Sequence, residues 1–104
     1  MSTVFGKIIR REIPADIVFE DDRVLVIKDI NPRARVHLLI IPKKEIASLF
    51  EVTPEDRELM AHMMMLLPQL AMANGLDAGF RTQVNTGVGG GQEVFHLHIH
   101  LLGD

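Results

Sequence analysis

The segment His96–Leu102, HLHIHLL, constrains the chain more than any other. It alternates imidazoles with aliphatic residues. A strand has a side-chain period of two, so His96, His98 and His100 project to one face and Leu97, Ile99 and Leu101 to the other. The aliphatic face must meet a core, which leaves the imidazole face to line a surface groove. The fold must therefore supply a sheet that is covered on one side at this strand. Two chemistries suit such a face. Alternating imidazoles can ligate zinc or another divalent ion, with His37 as a further ligand. They can also act on a phosphate, because neutral imidazole is a well-populated nucleophile near pH 7.

The rest of the chain supplies the sheet. Asp16–Glu20 and Val24–Ile30 are β-branched and bounded by Asp21-Asp22 and Asn31-Pro32, which predicts a hairpin. Val36–Ile41 predicts a third strand, stopped by Pro42. Gly79–Asn85 and Phe95–Leu102 predict a fourth and a fifth. Phe5, Ile8 and Ile9 have helical spacing and predict a short helix before Pro14. A long helix is predicted from Thr53 to about Asn74. Thr53 is its N-cap, Pro54 its first residue, Glu55 and Asp56 its acidic first turn, and Gly75 its left-handed stop. Strands do not alternate with helices. The expected class is α+β, a mostly antiparallel five-stranded sheet with one long and one short helix, in a single domain over 1–104.

Met60, Met63, Met64, Met65, Leu66, Leu67, Leu70, Ala71 and Met72 wrap most of the long helix. A helix apolar on nearly all sides is buried on more than one. One side can face the sheet, and the other is expected to face a second subunit. Met64 and Leu67 are the expected interface residues. The alternative is a wide core face with a few exposed methionines. Pro68 should kink or loosen one turn, because it removes a donor. The fourth strand would be a sheet edge, which invites pairing. The expected assembly is a homodimer through the 53–74 helix and the 79–85 strand. His62 is read as a surface or interface residue.

Charge and composition exclude several classes. Eleven basic and fourteen acidic residues give a formal charge of −3, with no basic stripe for nucleic acid. There is no cysteine, hence no disulfide framework or thiolate metal site. The N-terminal MSTVFGKIIRR has no secretory apolar region, and no run is long enough for a membrane span. The expected location is cytoplasmic, with no nucleic-acid and no membrane partner.

Two neighbours of the histidine face point toward phosphate. In Asn85–Val94, NTGVGGGQEV, Gly87, Gly89, Gly90 and Gly91 make a loop whose backbone can approach a ligand and cradle phosphate oxygens. Asp29 ends a strand before a short loop to His37. It can hold a ribose by its hydroxyls, or simply cap a hairpin.

These segments together resemble the histidine triad family, whose signature is His-φ-His-φ-His-φ-φ with φ apolar. Phe5–Asp22, Asp29–Lys44 and Gly90–Gly103 look like its histidine triad nucleotide-binding (Hint) branch, over essentially the whole chain. The resemblance implies a homodimeric hydrolase of purine nucleoside 5′-phosphoramidates that cleaves a P–N bond at the α-phosphorus. It implies that His98 is the nucleophile and forms a nucleotidyl-histidine, which water resolves to nucleoside monophosphate. By the same correspondence His100 contacts the phosphoryl oxygens and helps protonate the departing amine, while His96 and His37 orient the nucleophile. Phe5, Ile8, Ile27, Ile30 and Leu39 wall the nucleoside pocket, and Asp29 binds the ribose. Asn85, Gly91, Gln92, Glu93 and Val94 line the phosphate side. No metal and no cofactor is implied. Some relatives carry serine at the position of Glu93, so a main-chain N–H is its expected contribution. Some carry a Cys-x-x-Cys zinc pair near the N-terminus, where this chain has Thr3–Phe5. The competing readings are a dinucleoside polyphosphate hydrolase, a nucleotide-binding scaffold with incidental catalysis, and a histidine metal site.

Overall fold

The computed structural model describes residues 3–104. Helix α1 is Val4–Ile9 and helix α2 is Arg57–Ala73. The strands are β1 Ile17–Glu20, β2 Val24–Lys28, β3 Val36–Pro42, β4 Arg81–Gln83 and β5 Ile99–Gly103. They form one sheet in the order β1-β2-β3-β5-β4, and every neighbouring pair is antiparallel. The class is α+β, as the strand and helix pattern predicts.

All seven residues of β3 are buried, because it is the central strand and both faces of the sheet are covered there. On one face Val24, Val26, Leu38, Ile40 and Leu101 pack against Met63, Leu66, Leu67 and Leu70 of α2. On the other, Leu25, Ile27, Leu39 and Ile41 pack against Phe5 and Ile8 of α1. Each such side chain contributes on the order of 1.5–3 kcal/mol when fully buried. Helix α1 is only six residues long and covers part of its face. The uncovered remainder becomes the groove.

One rung of the sheet sets the groove floor. Ile17 pairs with Ile27, Ile27 with Leu39, Leu39 with His100, and His100 with Gln83. The rung runs from aliphatic to polar across five strands. The period of two puts all these side chains on one face.

Local signals explain the helices. Thr3 Oγ1 accepts from the Gly6 N–H at 3.1 Å and caps α1. A 3₁₀ turn at Pro54–Asp56 precedes α2, and the Thr53 N–H donates to the Asp56 carboxylate at 3.0 Å. The helix therefore starts one turn later than its cap residue suggests. Gly75, with φ +77°, ends it, and the Leu76 N–H reaches back to the Ala71 carbonyl at 2.9 Å. The helix runs unbroken through Pro68.

Several expectations are corrected. The fifth strand starts at Ile99, not Phe95, since the main-chain N–H of Leu97 bonds Ile46 at 2.7 Å instead of joining the ladder. The second strand ends at Lys28 and the fourth spans only three residues. The apolar wrap of α2 resolves into two stripes. Leu67 is 4% exposed and belongs to the subunit's own core, so it is not a surface residue available to a partner. Met64, Met65 and Met72 are exposed. His62 reaches Asp21 at 2.6 Å and ties α2 to the β1–β2 turn. Among the described residues, no helix is long and apolar enough to cross a membrane.

Candidate active site

The groove over the uncovered sheet face has a volume of about 580 Å³, within the range of small-molecule sites. Phe5 and Ile8 of α1, Ile27 of β2, Leu39 of β3 and Val94 make its apolar end. Asp29, Asn85, Gly91, Glu93, His98 and His100 make its polar end. Ile30 also borders it, but at 90% exposure it is a rim residue and not a wall. Thirteen residues were expected to line the pocket, and Gln92 is the one among them that does not.

Gln92 is buried and holds the glycine loop together. Its Oε1 accepts from the Gly87 N–H at 2.8 Å. Its Nε2 donates to the carbonyls of Ala47 at 2.7 Å and Val94 at 3.0 Å. Asn85 helps from the other side, donating from Nδ2 to the Gly90 carbonyl at 2.8 Å. Gly87 and Gly91 have φ of +72° and +80°, which only glycine adopts without strain. The N–H groups of Gly87, Gly90, Gly91 and Gln92 are all bonded inside the loop. They therefore do not cradle a phosphate, contrary to the expectation from the glycine count. The groove-lining residues Glu93 and Val94 have no main-chain donor bond among the described residues.

The four histidines divide into two pairs. His96 is 2% exposed and lies under the groove, not in its wall, because the segment around it has left the ladder. Its Nε2 donates to the Pro42 carbonyl at 2.7 Å. His98 uses Nδ1 to donate to the His96 carbonyl at 2.8 Å. A carbonyl only accepts, so the proton of neutral His98 is on Nδ1 and its Nε2 keeps a bare lone pair. The Phe5 ring meets His98 edge-on, with centroids 4.9 Å apart. Burial holds the His98 pKa below its ordinary 6.5, against the smaller opposing effect of the His96 carbonyl. Its ring is thus neutral near pH 7.

His37 and His100 form the second pair. Nε2 of His37 lies 2.9 Å from Nδ1 of His100, and the ring centroids are 5.2 Å apart. His37 was expected to steer the nucleophile; it touches His100 instead. Burial lowers the His37 pKa and outweighs Asp29, whose Oδ2 lies 3.4 Å from Nε2. The contact is therefore between a carboxylate and a neutral ring, not an ion pair. Burial, then repulsion from His98, His37 and Arg33, pushes His100 down to about 4. Asp29 is also a loop cap: its Oδ1 accepts from the Asn31 N–H at 2.8 Å.

Asp29, His37 and His100 place one donor atom each within 4.8 Å of one another, a spacing a metal can use. Their protons oppose it. Nδ1 of His37 accepts from the Arg33 main-chain N–H at 3.1 Å. An amide N–H only donates, so the neutral ring must carry its proton on Nε2, the nitrogen that faces the cluster. A ligating histidine needs the reverse, with its far nitrogen as donor. His96 and His98 are not part of this cluster, and each has one nitrogen on a main-chain carbonyl. This residue set does not fit a metal centre.

Pattern reading did not single out Val4, Lys28, Asn31, Arg33 or Gln83, which also border the groove. The cross-strand partner of His100 could have pointed to Gln83. Arg33 and Asn31 lie in an irregular loop, where no periodicity betrays side-chain direction.

Comparison with known proteins agrees with this geometry. Residues 2–104 match the family model described as "Scavenger mRNA decapping enzyme C-term binding". An uncharacterized HIT-like protein of Synechococcus elongatus is 56% identical over 97% of this chain and 89% of its own length. Protein HitA of Neisseria gonorrhoeae is 53% identical, over 96% of this chain and 94% of its own. The crystal structure of a HIT family hydrolase from Legionella pneumophila superposes with a TM-score of 0.95 at 50% identity, covering 98% of this chain and 92% of that one. With the triad segment folded over a groove of this kind, and relatives matching from end to end, the chain belongs to the histidine triad (HIT) family.

Proposed function

We propose that the protein is a hydrolase of purine nucleoside 5′-phosphoramidates, of the histidine triad nucleotide-binding branch. The observation that carries this reading is the bare Nε2 of His98, a neutral imidazole in the groove whose other nitrogen is held by a main-chain carbonyl. Such a nitrogen is an oriented nucleophile that needs no base to remove a proton first. The resemblance to a HIT family hydrolase at 50% identity supports hydrolysis as the outcome.

In this reading the nucleoside lies toward Phe5, Ile8, Ile27 and Leu39, with its ribose hydroxyls on Asp29. His98 Nε2 attacks the α-phosphorus. The P–N bond breaks, its electron pair stays on the amine nitrogen, and that nitrogen takes up a proton as it leaves. Water then attacks the same phosphorus, the bond to His98 breaks, and nucleoside monophosphate is released. The main-chain N–H groups of Glu93 and Val94 are the donors left to meet the phosphoryl oxygens. Charge stabilisation there is usually the largest contribution to such a step. The test is turnover of an adenosine 5′-phosphoramidate in excess chelator, beside dinucleoside polyphosphates of two lengths. Metal-independent release of amine and adenosine monophosphate is expected. Preferential cleavage of the dinucleotides would assign the protein to P–O chemistry, and binding without turnover would make it a scaffold.

The proposed assembly is a homodimer. Met64, Met65 and Met72 form an exposed stripe on α2, and β4 is a sheet edge with Phe80 exposed beside it. A twofold that joins these surfaces would bury both, over roughly 2,000 Å² for an obligate pair. Sedimentation at micromolar concentration should give twice the 11.7 kDa chain mass. Met64→Glu should yield folded monomers; a monomeric wild type would remove the proposal.

A further inference from the structure

His100 stands beside the phosphoryl position of the proposed reaction, and what it can do there depends on which of its nitrogens carries the proton. We propose that His37 makes that choice: anchored by the main-chain N–H of Arg33, it donates from Nε2 to Nδ1 of His100 and so makes His100 present Nε2–H to the groove. This deepens the phosphoramidase reading and rests on it for the chemical consequence, though not for the proton arrangement itself.

The argument starts on the main chain. The Arg33 N–H can only donate, and it points at His37 Nδ1 from 3.1 Å. The one proton of a neutral His37 is therefore on Nε2. Two acceptors lie near it, His100 Nδ1 at 2.9 Å and Asp29 Oδ2 at 3.4 Å, and the imidazole nitrogen is the nearer. His100 Nδ1 must then offer a lone pair, and its own proton sits on Nε2. A second proton on His100 would have to enter at Nδ1, directly against the His37 N–H. Sterics thus oppose the imidazolium, in addition to burial.

The surroundings do not reverse this. His98 faces His100 from the same chain segment, with ring centroids 5.0 Å apart. His37 faces it from β3, and Asp29 and Arg33 from the loop between β2 and β3. The uncharged Gln83 pairs with it on β4. Asp29 alone favours a positive ring, and it is outnumbered by groups that disfavour one.

His37 is a positioning residue in this scheme. His100 becomes a neutral hydrogen-bond donor to a phosphoryl oxygen, and it transfers no proton. The departing amine draws its proton from water instead. The role of His100 as acid, which the family resemblance implies, is thereby replaced by charge stabilisation.

Long-range proton–nitrogen spectra of the ligand-free, ¹⁵N-histidine-labelled protein at pH 7 test this without any substrate. The expected pattern is Nε2–H for His37 and His100, and Nδ1–H for His98. An Nδ1–H or imidazolium signature at His100 would overturn the proposal. Two variants connect the pattern to turnover. His37→Gln keeps an amide donor and should keep the His100 pattern with most of kcat. His37→Leu removes the donor and should give His100 a mixture of tautomers and lower kcat about 10²-fold, the scale of one lost phosphoryl donor, with KM little changed. Equal losses in the two variants would show that His37 only fills space, and would refute the positioning role. Should the leucine variant not fold, the wild-type and glutamine spectra still decide. The expected spectra without phosphoramidate turnover would leave the proton arrangement standing and sink the phosphoramidase reading.

Discussion

His98 and His100 are two residues apart, share a groove and are both held neutral, yet they face the groove with opposite polarity. His98 is backed by a carbonyl, a main-chain acceptor, and shows a lone pair. His100 is backed by His37, itself backed by a main-chain donor, and in the proposed arrangement shows an N–H. The side chains are identical, so the difference lies wholly in what meets the rear nitrogen. Role in a histidine site follows from the second contact, not from the residue type.

The strongest way to break the comparison is to remove the lone pair. His98→Ala should lose turnover on the order of 10⁴-fold or more while nucleotide monophosphate still binds. Single-turnover kinetics with calorimetric binding would check both halves, and near wild-type rates would end the assignment of His98 as nucleophile. An intermediate effect comes from pH. His37, His98 and His100 all have folded pKa values below the ordinary 6.5, so the folded state binds fewer protons than the unfolded one. Their contribution to stability is fully present above pH 6.5 and is lost as pH falls, for His100 down to about 4. Thermal unfolding followed from pH 7 to pH 4 should show a falling midpoint, and a shallower fall in His100→Gln. Activity should decline as pH falls below the ordinary histidine range, because protonation consumes the His98 lone pair. The smallest effect is expected at the Asp29 carboxylate in the polar end of the groove. Asp29→Asn should weaken adenosine monophosphate binding by about 1–3 kcal/mol, and should have little effect on a nucleotide lacking both ribose hydroxyls. Equal losses for the two ligands would mean that Asp29 serves only the Asn31 turn and His37.

How much of this was legible in the sequence depended on periodicity. The triad segment repeats regularly and the strands and helices carry clear residue patterns, so the sheet and both helices could be read, whereas the apolar wrap of α2 hid which of its sides is buried. Gly75 marked the end of α2 and Thr53 the 3₁₀ turn that leads into it, through chemistry specific to caps. Periodicity failed where the chain stops repeating. Alternation put His96 in the groove wall, but the bond from Leu97 to Ile46 takes that segment out of the ladder and sinks His96 under it. The glycine loop read as a phosphate cradle, because composition reports freedom of backbone and not where its N–H groups point. Gln92 Oε1 takes the N–H of Gly87, and the loop's own carbonyls take those of Gly90, Gly91 and Gln92. Arg33 acts through a main-chain amide, a group every non-proline residue has, so its identity carried no signal.

The rung from Ile17 to Gln83 has a consequence for how the site can diversify. Ile27 and His100 stand on it two strands apart, about 10 Å by ordinary strand spacing. Leu39 is the neighbour they share on the rung, so while Leu39 is kept, changes at the two ends couple only weakly at that distance. Apart from Phe5 and Leu39, which neighbour His98 and His100, the aliphatic half can thus be resized for a different ligand while the histidine half keeps its protons where they are. A designer, or a lineage, can retune what the groove recognises without reopening how it reacts.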